Sequence, residues 1–374
     1  MKVTALPTPQ VLVDRNKATR NIERMQSDVA SHGKRLRPHV KTHKSPALAR
    51  EQLSAGAIGI CCAKLGEAEI FASAGVDDIR VAYPVHPSNA ARVLGLQDKT
   101  RLSLIVDHPD AARAWSDVMA AMGRRLDVLV KVDVGFHRCG VDPTSPAALA
   151  FVKQVAAAPG LRLRGLLSHA GQCYHAQSDH DLGAIATQEV NLLWTLAQAA
   201  RQDGIPIDEV SVGATPTSRF SWVLDAITEM RPGNYIFGDR TQVALGTMRV
   251  EECALTVLAR VISKPAADRV ILDCGSKTLS SDPARGFAFQ PGYGAIFEDL
   301  ASDHVDTRLV VERLSEEHAT VKVMAPSTRL QLGDLVRIVP NHACVVVNLV
   351  DELRLVDGLT VVQTLPVAAR GKIQ

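Results

Sequence analysis

The sequence predicts an α/β fold: a (β/α)8 barrel followed by a mainly antiparallel β domain. Eight short, β-branched apolar runs alternate with helical stretches, and their starts fall roughly 20–25 residues apart over much of the first two thirds of the chain. After about Arg249 the texture changes to short runs split by Gly, Asp, Asn and Pro, several alternating in polarity, as in Val305–Glu312. A length of 374 residues suits one large barrel with an appended domain.

In chain order, Gln10–Asp14 reads as a strand that precedes the barrel and pairs with the C-terminal domain. Arg15–Ala30 carries Ile22, Met25 and Val29 at helical spacing, with Asp14 as its N-cap. The eight barrel strands are expected near Leu36–Lys41, Ile58–Cys62, Ile79–Tyr83, Leu102–Val106, Leu126–Val134, Leu163–Ser168, Glu209–Gly213 and Met230–Phe237. Strand–helix alternation at this spacing calls for right-handed crossovers and a parallel sheet. The later strands are expected at Leu255–Val261, Arg269–Leu272, Thr307–Leu314, Ala319–Met324, Asp334–Ile338, Cys344–Leu349, Glu352–Val356 and Leu359–Gln363. The division is thus a barrel over residues 15–249, with 1–14 and 250–374 forming the β domain.

Composition removes several classes of function. A net charge of +2 and 4% aromatic residues give no reason to expect nucleic acid. No apolar run approaches the ~18–20 residues that span a bilayer, and the N-terminus lacks a signal-peptide core. A cytoplasmic, membrane-free protein is expected. Seven scattered cysteines without CxxC spacing argue against a zinc ribbon or a disulfide framework. There is no GxGxxG after a strand, no P-loop and no GxSxG.

The chemistry-bearing motifs fall at expected strand C-termini, the rim on which barrel enzymes build their sites. Arg37–Lys44 reads RPHVKTHK. His39 and Lys41 share strand parity, and the surrounding Arg37, His39, His43 and Lys44 would disfavour an ammonium on Lys41, as a Schiff-base lysine requires. Arg138 in VKVDVGFHRCGV could donate to a ligand oxygen, and SHAGQCYH gathers His169, Tyr174 and His175 in a short segment. VGATPT (Val212–Thr217) and RPGNYIF (Arg231–Phe237) follow the seventh strand and span the eighth, a frequent phosphate-binding place. In VPNHACV, His342 and Cys344 would share one face of an extended segment, a pairing suited to a borderline transition metal.

Taken in order, RPHVKTHK, GICCAKLGEAE, VKVDVGFHRCGV, SHAGQCYH, SVGATPTS, RPGNYIFGD, ILDCGSKTLSSD and PNHAC resemble the D-threonine aldolase and D-serine dehydratase family. Its members are fold-type III, alanine racemase-like enzymes that use pyridoxal phosphate and a divalent metal such as Mn, Zn, Co or Mg. The resemblance runs from about Thr8 to Val362. It implies a homodimer acting on small D-amino acids. By motif position Lys41, with His39 beside it, looks like the cofactor lysine. Arg138 looks like the contact to the cofactor ring oxygen, and Tyr174 like the tyrosine near the cofactor. Gly213, Ala214 and Thr215, with Gly233, Asn234 and Tyr235, look like the phosphate cradle; His342 and Cys344 look like the metal pair.

Within this family the motifs point two ways. His175 falls where D-threonine aldolases carry a histidine suited to act as base, whereas Tyr174 and Cys344 resemble the dehydratase form. The expectation is a lyase on D-β-hydroxy amino acids, with retro-aldol cleavage of D-threonine-like substrates preferred because His175 offers a base for the β-hydroxyl. Dehydration of D-serine or D-threo-3-hydroxyaspartate is the alternative. Racemisation needs no metal pair, and a non-catalytic cofactor carrier would not need the C-terminal part.

Overall fold

The computed structural model describes residues 1–288 and 291–374. The first strand, β1 (Gln10–Asp14), stands outside the barrel. The chain then enters a helix, Arg15–Ser31, whose N-terminus is capped by Asp14 Oδ1 accepting from Lys17 N at 2.9 Å. The barrel strands are β2 (Arg35–Leu36), β3 (Ile60–Cys62), β4 (Asp78–Pro84), β5 (Arg101–Val106), β6 (Leu126–Lys131), β7 (Leu161–Leu167), β8 (Glu209–Val212) and β9 (Glu229–Met230). All their pairings are parallel, in the order β2-β9-β8-β7-β6-β5-β4-β3. The ring closes where Ile58 N donates to Leu36 O at 2.9 Å and Cys61 N to Pro38 O at 2.8 Å, next to a parallel bridge between His39 and Cys61.

Several strands are shorter than expected, and for two of them the reason is shared. β2 and β9 each give way at an Arg-Pro step, Arg37-Pro38 and Arg231-Pro232, where proline has no N–H to donate; past it the pairing thins to single bonds such as His39 N to Pro232 O. Beyond them the chain turns into short 3-10 helices, Val40–Thr42 and Asn234–Ile236. The shared strand parity expected of His39 and Lys41 is therefore not what brings them together: His39 caps the turn that carries Lys41. Likewise β6 ends at Lys131. Val141 N returns to Lys131 O, and the Asp133 carboxylate collects the N–H groups of Gly135 and His137.

The second sheet contains β10 (Leu255–Ala266), β11 (Arg269–Leu272), β12 (Gly294–Ile296), β13 (Leu309–Leu314), β14 (Ala319–Val323), β15 (Leu335–Pro340), β16 (Glu352–Asp357) and β17 (Thr360–Pro366). β1 joins it, antiparallel to β10 and parallel to β16, so the chain's first strand does pair with its last third. One expected strand is absent. Cys344–Leu349 belongs instead to a helix, Ala343–Asn348, despite its run of three valines. The Asp239 carboxylate receives Ala343 N at 2.9 Å, and Val346 and Val347 bury into the sheet's core, so tertiary contacts override β propensity.

The alternation of barrel strands puts one set of side chains inside. At the lower end Arg80 pairs with Glu229 and, at 2.6 Å, with Glu209, while Arg37 pairs with Glu229 at 2.8 Å and with Asp78. Ile105, Leu129 and Leu167 form a small apolar cluster. All seven cysteines are free thiols. Among the described residues no helix is long and apolar enough to cross a membrane.

Candidate active site

The C-terminal rim of the barrel opens into a cavity of about 840 Å³. His39 and Lys41 enter it from the turn after β2, Lys131 from the end of β6, and His169 from beyond β7. Gly213, Ala214 and Thr215 follow β8; Arg231, Gly233 and Asn234 follow β9. The second sheet's side supplies Asp282, His342 and Cys344. Most residues expected to form the site thus meet in one cavity, across hundreds of positions of sequence.

The basic cluster around Lys41 disperses in three dimensions. Arg37 turns to Glu229 and Asp78, and His43 is buried against Gln52. Lys44 reaches Asn348 Oδ1 at 2.8 Å and Glu67 at 3.3 Å. The cations that do face Lys41's surroundings are other ones. Burial, then Lys41, Arg231, His169 and Arg138, hold the His39 imidazole well below its ordinary range. Burial and Lys41 likewise keep His169 neutral, against the opposing bond between its Nδ1 and Gly213 O. Lys131 is pushed down to about 8 by burial and by Arg231 and Arg138. Arg138 is exposed at the mouth, over the Phe136 ring.

Gly213 and Gly233 are required by close approach. A Cβ on Gly213 would lie 2.9 Å from Arg231 O, and one on Gly233 2.9 Å from Thr42 Oγ1. These glycines let the loops after β2, β8 and β9 converge on one spot. There Thr215 Oγ1 is buried and, among the described residues, has no hydrogen-bond partner. A phosphate would satisfy it, so these residues fit the phosphate end of pyridoxal phosphate, with Lys41 across the same cavity.

His342 and Cys344 come together at the N-terminus of the Ala343–Asn348 helix, rather than on an extended segment as expected. His342 Nδ1 and Asp282 Oδ2 are 2.7 Å apart, an arrangement that orients a metal-binding imidazole. Burial lowers the His342 pKa, but the bond to Cys344, the charges of Cys344 and Asp239, and the bond to Asp282 prevail and push it up to about 10. Cys344 Sγ also lies 3.3 Å from Thr42 Oγ1, the neighbour of Lys41. Among the described residues no group of three or more His, Cys, Asp or Glu gathers for a metal. Two protein donors with a borderline-soft pairing therefore fit a divalent metal whose other positions stay open to solvent or substrate.

Two expected site residues stand elsewhere. His175 ends the 3-10 helix Gly171–His175 with an exposed side chain and does not line the cavity, although Tyr174 beside it does. Tyr235 is buried away from the cavity, its hydroxyl accepting from Gln52 Nε2 at 2.8 Å. Sequence reasoning assigned no role to Asp239, Thr42 or Arg231, nor one to Asp282. Asp239 has an unhelpful local signature, a Gly-Asp step; its importance arises from contacts made a hundred residues away. Burial pushes its carboxyl up, against His342 and the donors Ala343 N, Gln242 N and Asn234 Nδ2.

Comparison with known proteins agrees with this geometry. The family model for the alanine racemase N-terminal domain matches residues 13–241, and that of a putative serine dehydratase domain matches 254–356. The chain is 37% identical to the D-threo-3-hydroxyaspartate dehydratase of Delftia sp. (strain HT23) over 91% of each chain. It is 33% identical to a D-threonine aldolase of Arthrobacter sp., covering 97% of this chain and 93% of the relative. A solved D-threo-3-hydroxyaspartate dehydratase, a cysteine-to-alanine mutant in the metal-free form, superimposes with a TM-score of 0.91 at 34% identity over 98% of both chains. The chain belongs to the D-threonine aldolase and D-serine dehydratase family, on the alanine racemase-like barrel.

Proposed function

We propose that this protein is a pyridoxal phosphate- and divalent-metal-dependent lyase that dehydrates small D-β-hydroxy amino acids to a 2-oxo acid and ammonia. One observation carries the choice of outcome: the cavity unites Lys41 with the His342–Cys344 pair but leaves His175 outside. The expectation of retro-aldol cleavage leans on His175 as a base for the β-hydroxyl, and an exposed side chain off the cavity lining weakens that support. The similarity to a dehydratase whose metal-free form was obtained as a cysteine-to-alanine mutant favours Cys344 as a metal ligand.

Pyridoxal phosphate on Lys41, with the metal held by His342 and Cys344, would supply an electron sink at Cα and a Lewis acid for the departing hydroxyl. The chain's own residues do the rest. Lys41 Nζ takes the Cα proton, and hydroxide leaves from Cβ; the product enamine tautomerises and hydrolyses, releasing ammonia. Burial and neighbouring cations hold the His39 and His169 imidazoles well below their ordinary range, so both are weak bases there and leave the Cα proton to Lys41. With the cofactor bound, Arg138 would meet its ring oxygen, Tyr174 would stand beside it, and Gly213, Ala214, Thr215, Gly233 and Asn234 would hold its phosphate.

The aldolase reading keeps one specific support, the 33% identity to a D-threonine aldolase over nearly the whole chain. D-Threonine reports on both outcomes at once. With pyridoxal phosphate and Mn²⁺, the protein is expected to form 2-oxobutanoate and ammonia, and to stop when EDTA is added. Glycine and acetaldehyde as the principal products would replace dehydration with aldol cleavage.

A further inference from the structure

The helix that carries the metal pair is fastened to the barrel loops by a few side chains, and the most deeply placed is Asp239. This residue is fully buried. Its Oδ2 accepts from Asn234 Nδ2 at 2.5 Å and from Ala343 N at 2.9 Å, and its Oδ1 accepts from Gln242 N at 2.9 Å. Asn234 belongs to the loop after β9 that lines the cavity, and its Oδ1 is buried without a partner. Ala343 lies between His342 and Cys344. One carboxylate oxygen therefore joins the loop assigned to the phosphate to the backbone between the two metal donors.

We infer that Asp239 is a positioning residue that couples the two cofactor sites, so that filling the phosphate cradle tightens metal binding at His342 and Cys344. The inference rests on the cofactor assignments made above. Its physical basis is pre-organisation. Ordering the Gly233–Tyr235 loop around a phosphate fixes the Asn234 amide, which fixes the carboxylate, which holds the Ala343 N–H and the geometry of its neighbours. Such coupling is reciprocal, so metal also tightens retention of the cofactor. A second contact, Cys344 Sγ to Thr42 Oγ1, runs from the metal pair to the turn bearing Lys41 and reinforces the same link.

The test is a titration of Mn²⁺, followed by its electron paramagnetic resonance signal, into the full-length protein loaded with pyridoxal phosphate and into protein stripped of it. Loading is expected to tighten Mn²⁺ binding by at least about fivefold, the lower end of ordinary site-to-site coupling. In Asp239→Asn, which keeps the size of the side chain, Mn²⁺ affinity of the loaded protein falls about 10–100-fold and the difference between loaded and stripped protein disappears. Equal Mn²⁺ affinity with and without pyridoxal phosphate in the unmutated protein overturns the inference while leaving the cofactor assignments standing. So does an Asp239→Asn protein that keeps the native difference. No Mn²⁺ binding in either state, or no cofactor absorbance on loading, overturns those assignments and the inference with them.

Discussion

Lys41 is defined by what surrounds it in space, not by its neighbours in sequence. Of the four basic residues beside it in the chain, Arg37 and His43 turn away to partners of their own, and Lys44, though it lines the same cavity as His39, is held by Asn348 and Glu67. Replacing Lys41 with Ala is expected to abolish the cofactor's absorbance shift on the protein and to lower turnover by about 10²–10⁴-fold or more, measured by 2-oxo acid formation. His175→Ala separates the two outcomes. Its exposed side chain predicts a loss of less than about tenfold, whereas removal of a true general base costs about 10²–10⁴-fold. Cys344→Ala should weaken Mn²⁺ binding by at least about 10–100-fold in a direct titration, with the protein still folded by circular dichroism. These residue types were legible in the sequence as ordered motifs. Asp239 and Asp282 end the motifs RPGNYIFGD and ILDCGSKTLSSD, but their roles were not legible, because a lone Asp gives no sign of the histidine or helix terminus it will meet sixty or a hundred positions later.

At the scale of elements, the barrel's order was readable because parallel strands buried on both faces are continuous apolar runs. Their ends were less readable: β2 and β9 stop at Arg-Pro steps, and the following valine- and tyrosine-containing segments curl into turns that present Lys41 and Asn234. The helix at Ala343–Asn348 was missed because three consecutive valines outweigh, in any local reading, an N-terminal partner supplied by Asp239. The lower end of the barrel carries its own prediction. Burial raises the Glu229 pKa, but Arg80 and Arg37 prevail and hold it at about 2 against an ordinary 4.5. A folded-state value below the unfolded one means that this stabilisation is present above about pH 4.5 and lost as pH falls toward 2. It amounts to an order of 3 kcal/mol. Glu229→Gln leaves two buried guanidinium groups short of a counter-charge and should cost about 3–5 kcal/mol in urea unfolding at neutral pH, while flattening the acid limb of the stability profile. An unchanged acid limb would show that the network contributes nothing of the kind.

The whole molecule is a device for closing a barrel mouth with a second sheet. The barrel alone would present Lys41 and the loops for the phosphate; the sheet brings His342, Cys344 and Asp282 over them. β1 makes the arrangement continuous, since the strand before the barrel is hydrogen-bonded to β10 and β16 of the later sheet. This explains why the chain's chemistry is spread from residue 39 to residue 344 and why no local segment announces it. It also brings Lys41 and the His342–Cys344 pair to the lining of one cavity. The choice between breaking Cα–H and breaking Cα–Cβ is then the central question, and it can be read from the substrate. In a competition between D-threonine and D-threonine deuterated at Cα, with pyridoxal phosphate and Mn²⁺ present, the account predicts that the protonated substrate is consumed preferentially and emerges as 2-oxobutanoate. Equal consumption of the two, with glycine as the product, would contradict it.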